Sequence, residues 1–173
     1  MSGPPTIILS GTVGAGKTTV GLAAQELLAA QEIPSAFLDV DQFTYLWPET
    51  DPFNQELAFE SLRSLWPVYQ KRGAERLILA RVVITTETLE RYARELGGAQ
   101  ITLVRITAPF TVREARLKQR EYGESQRWHL ERTVELDEIL IDAGIEDHVV
   151  VNDGETPDVA AMAVLRRCGW IAE

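Results

Sequence analysis

Eight residues, Gly11-Thr12-Val13-Gly14-Ala15-Gly16-Lys17-Thr18, constrain the fold of this chain more than any other feature. Glycines this dense disfavour the interior of a helix or a strand. They stand between a short apolar run, Thr6 to Leu9, and a segment in which Val20, Leu22, Ala23, Leu27 and Leu28 recur at helical spacing. The chain therefore passes from a strand into a helix through a tight turn, the opening unit of an alternating α/β architecture.

The fixed positions of that turn, Gly11-x-x-x-x-Gly16-Lys17-Thr18, are those of a phosphate-binding loop. The glycines let successive backbone N–H groups face an anion, and the helix N-terminus adds partial positive charge. Lys17 is expected on the terminal phosphates and Thr18 on magnesium. Gly11, Val13, Gly14, Ala15, Gly16 and Thr19 complete the expected nucleotide contacts. The loop alone does not separate kinases from GTPases or ATPases, but the chain has no Asn-Lys-x-Asp stretch of the kind that reads guanine.

The rest of the chain keeps the alternation. Ala36 to Val40 reads as a second strand, and Leu62, Leu65, Trp66 and Tyr69 form the stripe of a helix beginning near Asn54. Arg76 to Ala80 is a third strand; Leu89, Tyr92, Ala93 and Leu96 mark a helix closed by Gly97-Gly98; Ile101 to Ile106 is a fourth strand. Thr111 with Glu114 has the form of a capping box for a helix to about Glu121, and a further helix is predicted from about Ser125 to Asp142. His148 to Val151 makes a fifth strand, and Thr156-Pro157 opens a last helix. A parallel sheet covered by helices on both faces binds ligands beyond the carboxyl ends of its strands. The loops after the first three strands are thus the predicted chemical rim.

Composition narrows the partners. The chain has 173 residues, 45% of them hydrophobic, which suits one core and a single domain over 1–173. Its 17 Lys and Arg are outnumbered by 26 Asp and Glu, without a basic run, so nucleic acid is not the expected partner. The single cysteine, Cys168, has no mate for a disulfide or a metal cluster. With no signal-like start and no long apolar window, a cytoplasmic protein that does not enter the membrane is expected.

Three features together resemble the small-molecule P-loop kinases: the phosphate loop, the strand end Leu38-Asp39-Val40-Asp41, and the arginines of the segment Val112 to Arg120. The chloramphenicol phosphotransferase, adenylylsulfate kinase, gluconate kinase and shikimate kinase families are such enzymes. The resemblance implies a P-loop three-layer α/β/α sandwich with a five-stranded parallel sheet of order 2-3-1-4-5 and a helical lid. It implies an ATP- and magnesium-dependent phosphotransferase acting on a hydroxyl of a small molecule. The acceptor-binding region would lie at about 41–70 and the lid at about 111–132.

In those families a carboxylate just beyond the second strand orients or deprotonates the acceptor hydroxyl, and Asp41 matches that place, with Asp39 two residues earlier on the same side of an extended strand. The alternative is that Asp41 only caps the segment beginning at Gln42. Arg113, Arg116 and Arg120 fall at i, i+3 and i+7, so they share a helix face, and Arg127 follows the Tyr122-Gly123-Glu124 hinge. Arg116 is expected on the nucleotide, and Arg120 and Arg127 on the transferred phosphoryl group. Glutamates interleaved with them would equally make an ordinary ion-paired surface helix. The third strand ends in Arg81 rather than in an acid, which offers a cation to an anionic acceptor or a salt bridge to a nearby aspartate. Phe43, Tyr45 and Trp47 give the acceptor loop an aromatic character that favours a hydroxyl compound with ring or apolar faces. Phe43, Trp47, Arg81 and Asp39 are accordingly the expected acceptor contacts. Two other readings remain open: a nucleotide-binding ATPase or regulatory module that docks a protein, and a nucleoside or nucleotide kinase. Oligomeric state is not legible.

Overall fold

The computed structural model describes residues 3–154 and 156–172. The chain runs β1 (Pro5–Ser10), α1 (Lys17–Ala30), β2 (Ser35–Asp39), α2 (Gln55–Gln70), β3 (Arg76–Ala80), α3 (Thr86–Glu95), β4 (Gln100–Thr107), α4 (Phe110–Arg120), α5 (Gly123–Ala143), β5 (His148–Val151) and α6 (Pro157–Arg167). All strand pairings are parallel and the order is β2-β3-β1-β4-β5. This is the sheet the sequence resemblance implied.

Alternation along each strand explains the layers. Ile7 and Leu9 of β1, with Ile78, Val104, Ile106 and Val150, turn to one face, where Val20, Ala24 and Leu28 of α1 and Ala161, Val164 and Leu165 of α6 cover them. Ile8 turns to the other face with Ala36, Leu38, Leu77, Leu79 and Leu103, under Ala58, Phe59, Leu62 and Trp66 of α2, Tyr92 of α3 and Leu96 just past its end. Burial on both faces is what makes these strands continuous apolar runs. Tyr92 stacks obliquely on Phe59, with ring centroids 4.8 Å apart; burial pushes its hydroxyl up to about 12.

Two local expectations need correction. Thr111 does not cap α4: the helix begins at Phe110 behind Pro109, whose carbonyl accepts the N–H groups of Val112 and Arg113 at 3.0 and 3.1 Å. Proline's fixed φ is compatible with a helix start, so the helix begins two residues earlier than the polar signature suggested. The second strand stops at Asp39, and Val40 to Phe43 form a single 3-10 turn. Asp39 and Asp41 are therefore not related by the two-residue repeat of a strand and do not share one side.

Candidate active site

The glycine turn closes against the far half of the sheet. Gly11 has φ +147°, and a side chain there would strike the Ile106 carbonyl, since a Cβ would lie 2.2 Å from its oxygen. Gly16, at φ +97°, caps α1 where a Cβ would meet the Asn152 amide at 2.4 Å. Glycine alone tolerates both the dihedrals and the approach. The turn directs the N-terminus of α1, and with it Lys17, Thr18 and Thr19, into a cleft of about 900 Å³.

Within the turn Lys17 Nζ donates to the carbonyls of Gly11 (2.9 Å) and Thr12 (3.1 Å). Burial holds its ammonium below the ordinary lysine value, against the opposing pull of Asp41 and Asp39. The Thr18 hydroxyl donates to Asp39 Oδ2 at 2.6 Å, while Asp39 Oδ1 accepts the backbone N–H of Asp41 at 3.1 Å. A hydroxyl and a carboxylate side by side at a phosphate loop are hard oxygen donors of the kind magnesium takes, so these residues fit the ion that the sequence implied. β3 runs into Arg81, and the acid beside Thr18 comes from the end of β2 instead.

Asp41 also lines the cleft, where its carboxylate pairs with Arg81. Arg81 is buried; its second nitrogen donates to the Phe53 carbonyl at 2.9 Å. One guanidinium thus fastens both the strand-end carboxylate and the loop beyond it. Phe53 and Asn54 have φ of +59° and +48°, a costly conformation for residues with side chains. The Asn54 side chain compensates by donating to the carbonyls of Thr44 (2.9 Å) and Leu46 (3.2 Å), and the Asp51 carboxylate accepts the N–H groups of Gln55 and Glu56. The loop after β2 is held shut by its own polar groups. Its aromatics are accordingly free to differ: Phe43 packs on the core, Trp47 is 89% exposed outside the cleft, and Tyr45 lines it while remaining 83% exposed. The structure brings neither Phe43 nor Trp47 into the cleft.

The arginines of α4 and α5 separate in the same manner. Arg116 lies along the loop, donating to the carbonyls of Gly14 (3.2 Å), Ala15 (3.3 Å) and Asn152 (3.3 Å). Arg120 lines the cleft and pairs with Glu121. Arg127 is exposed and stands outside the cleft. Arg113, expected on the same face as Arg116 and Arg120, turns inward instead. It donates to Thr12 Oγ1 (3.0 Å), the Thr133 carbonyl (3.3 Å) and Asp137 Oδ2 (2.9 Å). Residues i and i+7 share a face but stand about 10 Å apart along the helix axis, so Arg113, near the start of α4, packs under α5 while Arg120, its last residue, reaches the cleft.

Three residues that the sequence reading left unassigned also reach the loop or the cleft. Asn152, just past β5, donates to the Ala15 carbonyl at 2.9 Å. Thr133 of α5 donates to the Val13 carbonyl at 2.8 Å. His129 reaches the cleft wall, its ring beside Ser125 and Glu121. Asn152 alone had a usable signal, its position at the carboxyl end of a strand.

A family model described as adenylylsulphate kinase matches residues 3–144. No curated protein matches the sequence. Among solved structures, the tunicamycin resistance protein of Deinococcus radiodurans is similar with a TM-score of 0.66 at 18% identity, over 96% of each chain. Shikimate kinase from Bacteroides thetaiotaomicron gives 0.65 at 15% identity, over 95% of this chain and 98% of that one. The adenylylsulphate (APS) kinase of Mycobacterium tuberculosis, in complex with AMPPNP and APS, gives 0.59 at 18%, over 96% and 98%. At such identities these structures speak for the fold.

Proposed function

The chain belongs to the adenylylsulphate kinase family and is a P-loop kinase, and we propose that it transfers the γ-phosphoryl group of ATP to a hydroxyl of a small molecule. The observation that most supports this reading is the pairing across one cleft of Lys17 and Thr18, at the start of α1, with Asp39 and Asp41, beyond β2.

In this reading Lys17 leaves its two loop carbonyls for the β- and γ-phosphate oxygens. Thr18 and Asp39 hold magnesium, which offsets phosphate charge when bound. Asp41, oriented by Arg81, receives the proton of the acceptor hydroxyl as its oxygen bonds to phosphorus and the bond to the ADP oxygen breaks. Arg116 steadies the nucleotide through the loop. Arg120 meets the transferred group, joined by Arg127 when the lid of about 111–132 closes. The whole chain acts as one domain, with the acceptor region at about 41–70, in the cytoplasm, where ATP is at hand and Cys168 stays reduced.

Magnesium-ATP is expected to stabilise the fold by about 2.7 kcal/mol at a hundredfold excess over Kd, which for a chain of this size raises Tm by roughly 5–10 °C. Lys17→Ala should lose most of that rise in a thermal-shift titration. A wild-type Tm that magnesium-ATP leaves unmoved would remove the foundation of this reading.

The acceptor loop allows a second check. Tyr45→Ala should raise the acceptor KM by roughly fivefold or more with the ATP KM unchanged, the effect of losing about 1 kcal/mol or more of aromatic contact. Trp47→Ala should leave both within about twofold, because Trp47 lies outside the cleft. Steady-state kinetics of the two variants side by side separate them, and the reverse ranking would return Trp47 to the acceptor wall.

A further inference from the structure

We infer that the acceptor of this kinase is a hydroxyl compound carrying no anionic group, uncharged or amino-bearing, an inference that rests on the phosphotransferase reading and specifies its substrate class. Beyond Lys17 the cleft is lined by Asp39, Asp41, Gln42, Tyr45, Arg120, Glu121 and His129. Three of these seven are carboxylates and one is an arginine.

The cations near them are already engaged. Arg81, which its place at the end of β3 offered to an anionic acceptor, is buried behind Asp41 and committed to Asp41 and the Phe53 carbonyl. Arg120 Nε donates to Glu121 at 3.1 Å, and Arg116 is spread over three carbonyls of the phosphate loop and its neighbour. Lys17 belongs to the nucleotide. Among the described residues, no cation lines the acceptor half without a carboxylate partner of its own. An anionic acceptor would have to displace one of these pairs and leave a carboxylate facing it, an arrangement that selects against the anion. The chain's formal net charge of −9 acts in the same sense at longer range.

What the wall does offer suits hydroxyl and amino groups. Gln42 can donate and accept, Tyr45 brings a ring face and a phenol, and the carboxylates accept from O–H or N–H donors. The His129 ring nitrogen sits 2.8 Å from the Ser125 carbonyl and 3.8 Å from Glu121, so this side chain too is tied to its own helix and to a carboxylate.

The test uses matched pairs in which charge is the main difference: gluconate against glucitol, and shikimate against its methyl ester. Each is titrated by calorimetry into the magnesium-ADP form of the full chain, and each is offered with ATP while mass gain is followed. Within the pairs, the uncharged member is expected to bind or react at least about tenfold better. Glu121→Gln, which releases Arg120, should narrow that gap. An anionic member that binds more tightly than its counterpart, or is phosphorylated ahead of it in a Lys17-dependent reaction, overturns the inference and leaves the kinase reading standing. The kinase reading fails on a different result, loss of the magnesium-ATP thermal shift.

Discussion

Asp41→Asn is expected to lower kcat by roughly 10²-fold or more, the usual contribution of a positioned general base, while the magnesium-ATP thermal shift stays close to wild type. The geometry separates the two effects. Asp41 pairs with Arg81 on the cleft wall, whereas the carboxylate that meets Thr18 is Asp39. An asparagine at 41 can still accept from Arg81, so the loop after β2 keeps its anchor and folding is little disturbed. It cannot take a proton. Asp39→Asn should behave differently, raising the magnesium concentration needed for half-maximal activity, since a charged oxygen beside Thr18 is lost. Turnover of both variants over a magnesium titration distinguishes the roles. Full activity in Asp41→Asn with none in Asp39→Asn would assign the base to Asp39.

The parts of this molecule that a sequence reader can recover are those set by local periodicity. The five strands and the glycine turn are each written in contiguous residues: apolar runs for the strands, and Gly11-x-x-x-x-Gly16-Lys17-Thr18 for the turn that joins the first of them to its helix. The sheet order came from the family likeness, because parallel pairing joins residues such as Ile8 and Leu103 that lie far apart in the chain.

Contacts of long sequence separation stayed hidden for the same reason. Arg113 meets Thr12 across 101 positions and Asn152 meets Ala15 across 137. Nothing local marks either as a partner. Where local rules misled, a stronger local rule had been overlooked: Pro109 fixes the start of α4, and the turn after Asp39 breaks the strand repeat. In the acceptor loop the aromatics Phe43, Tyr45 and Trp47 are chemically alike in sequence, and only the polar ties of Asn54 and Arg81 decide which of them faces the cleft.

Arg113→Met is expected to destabilise the protein by about 3 kcal/mol, the scale on which one partner of a buried ion pair is missed. For a chain of this length that lowers Tm by roughly 6–12 °C. Arg113 is 5% exposed, and its guanidinium joins three segments: Thr12 in the phosphate loop, and Thr133 and Asp137 on α5. Methionine fills much of the volume but leaves the Asp137 carboxylate and the Thr12 hydroxyl without their donor. Had Arg113 gripped phosphate from a mobile lid, its loss would lower kcat and spare the fold. The inward placement reverses that order: stability should fall first, and ATP affinity only as far as the loop loosens at Thr12 and Val13. Asp137→Asn tests the pairing from the other side. The two substitutions should be less than additive, because the second removes a charge that the first had already stranded. Thermal melts of the two single variants and the double variant give the coupling directly, and an Arg113→Met protein that melts with the wild type while turning over slowly would put Arg113 back among the lid arginines.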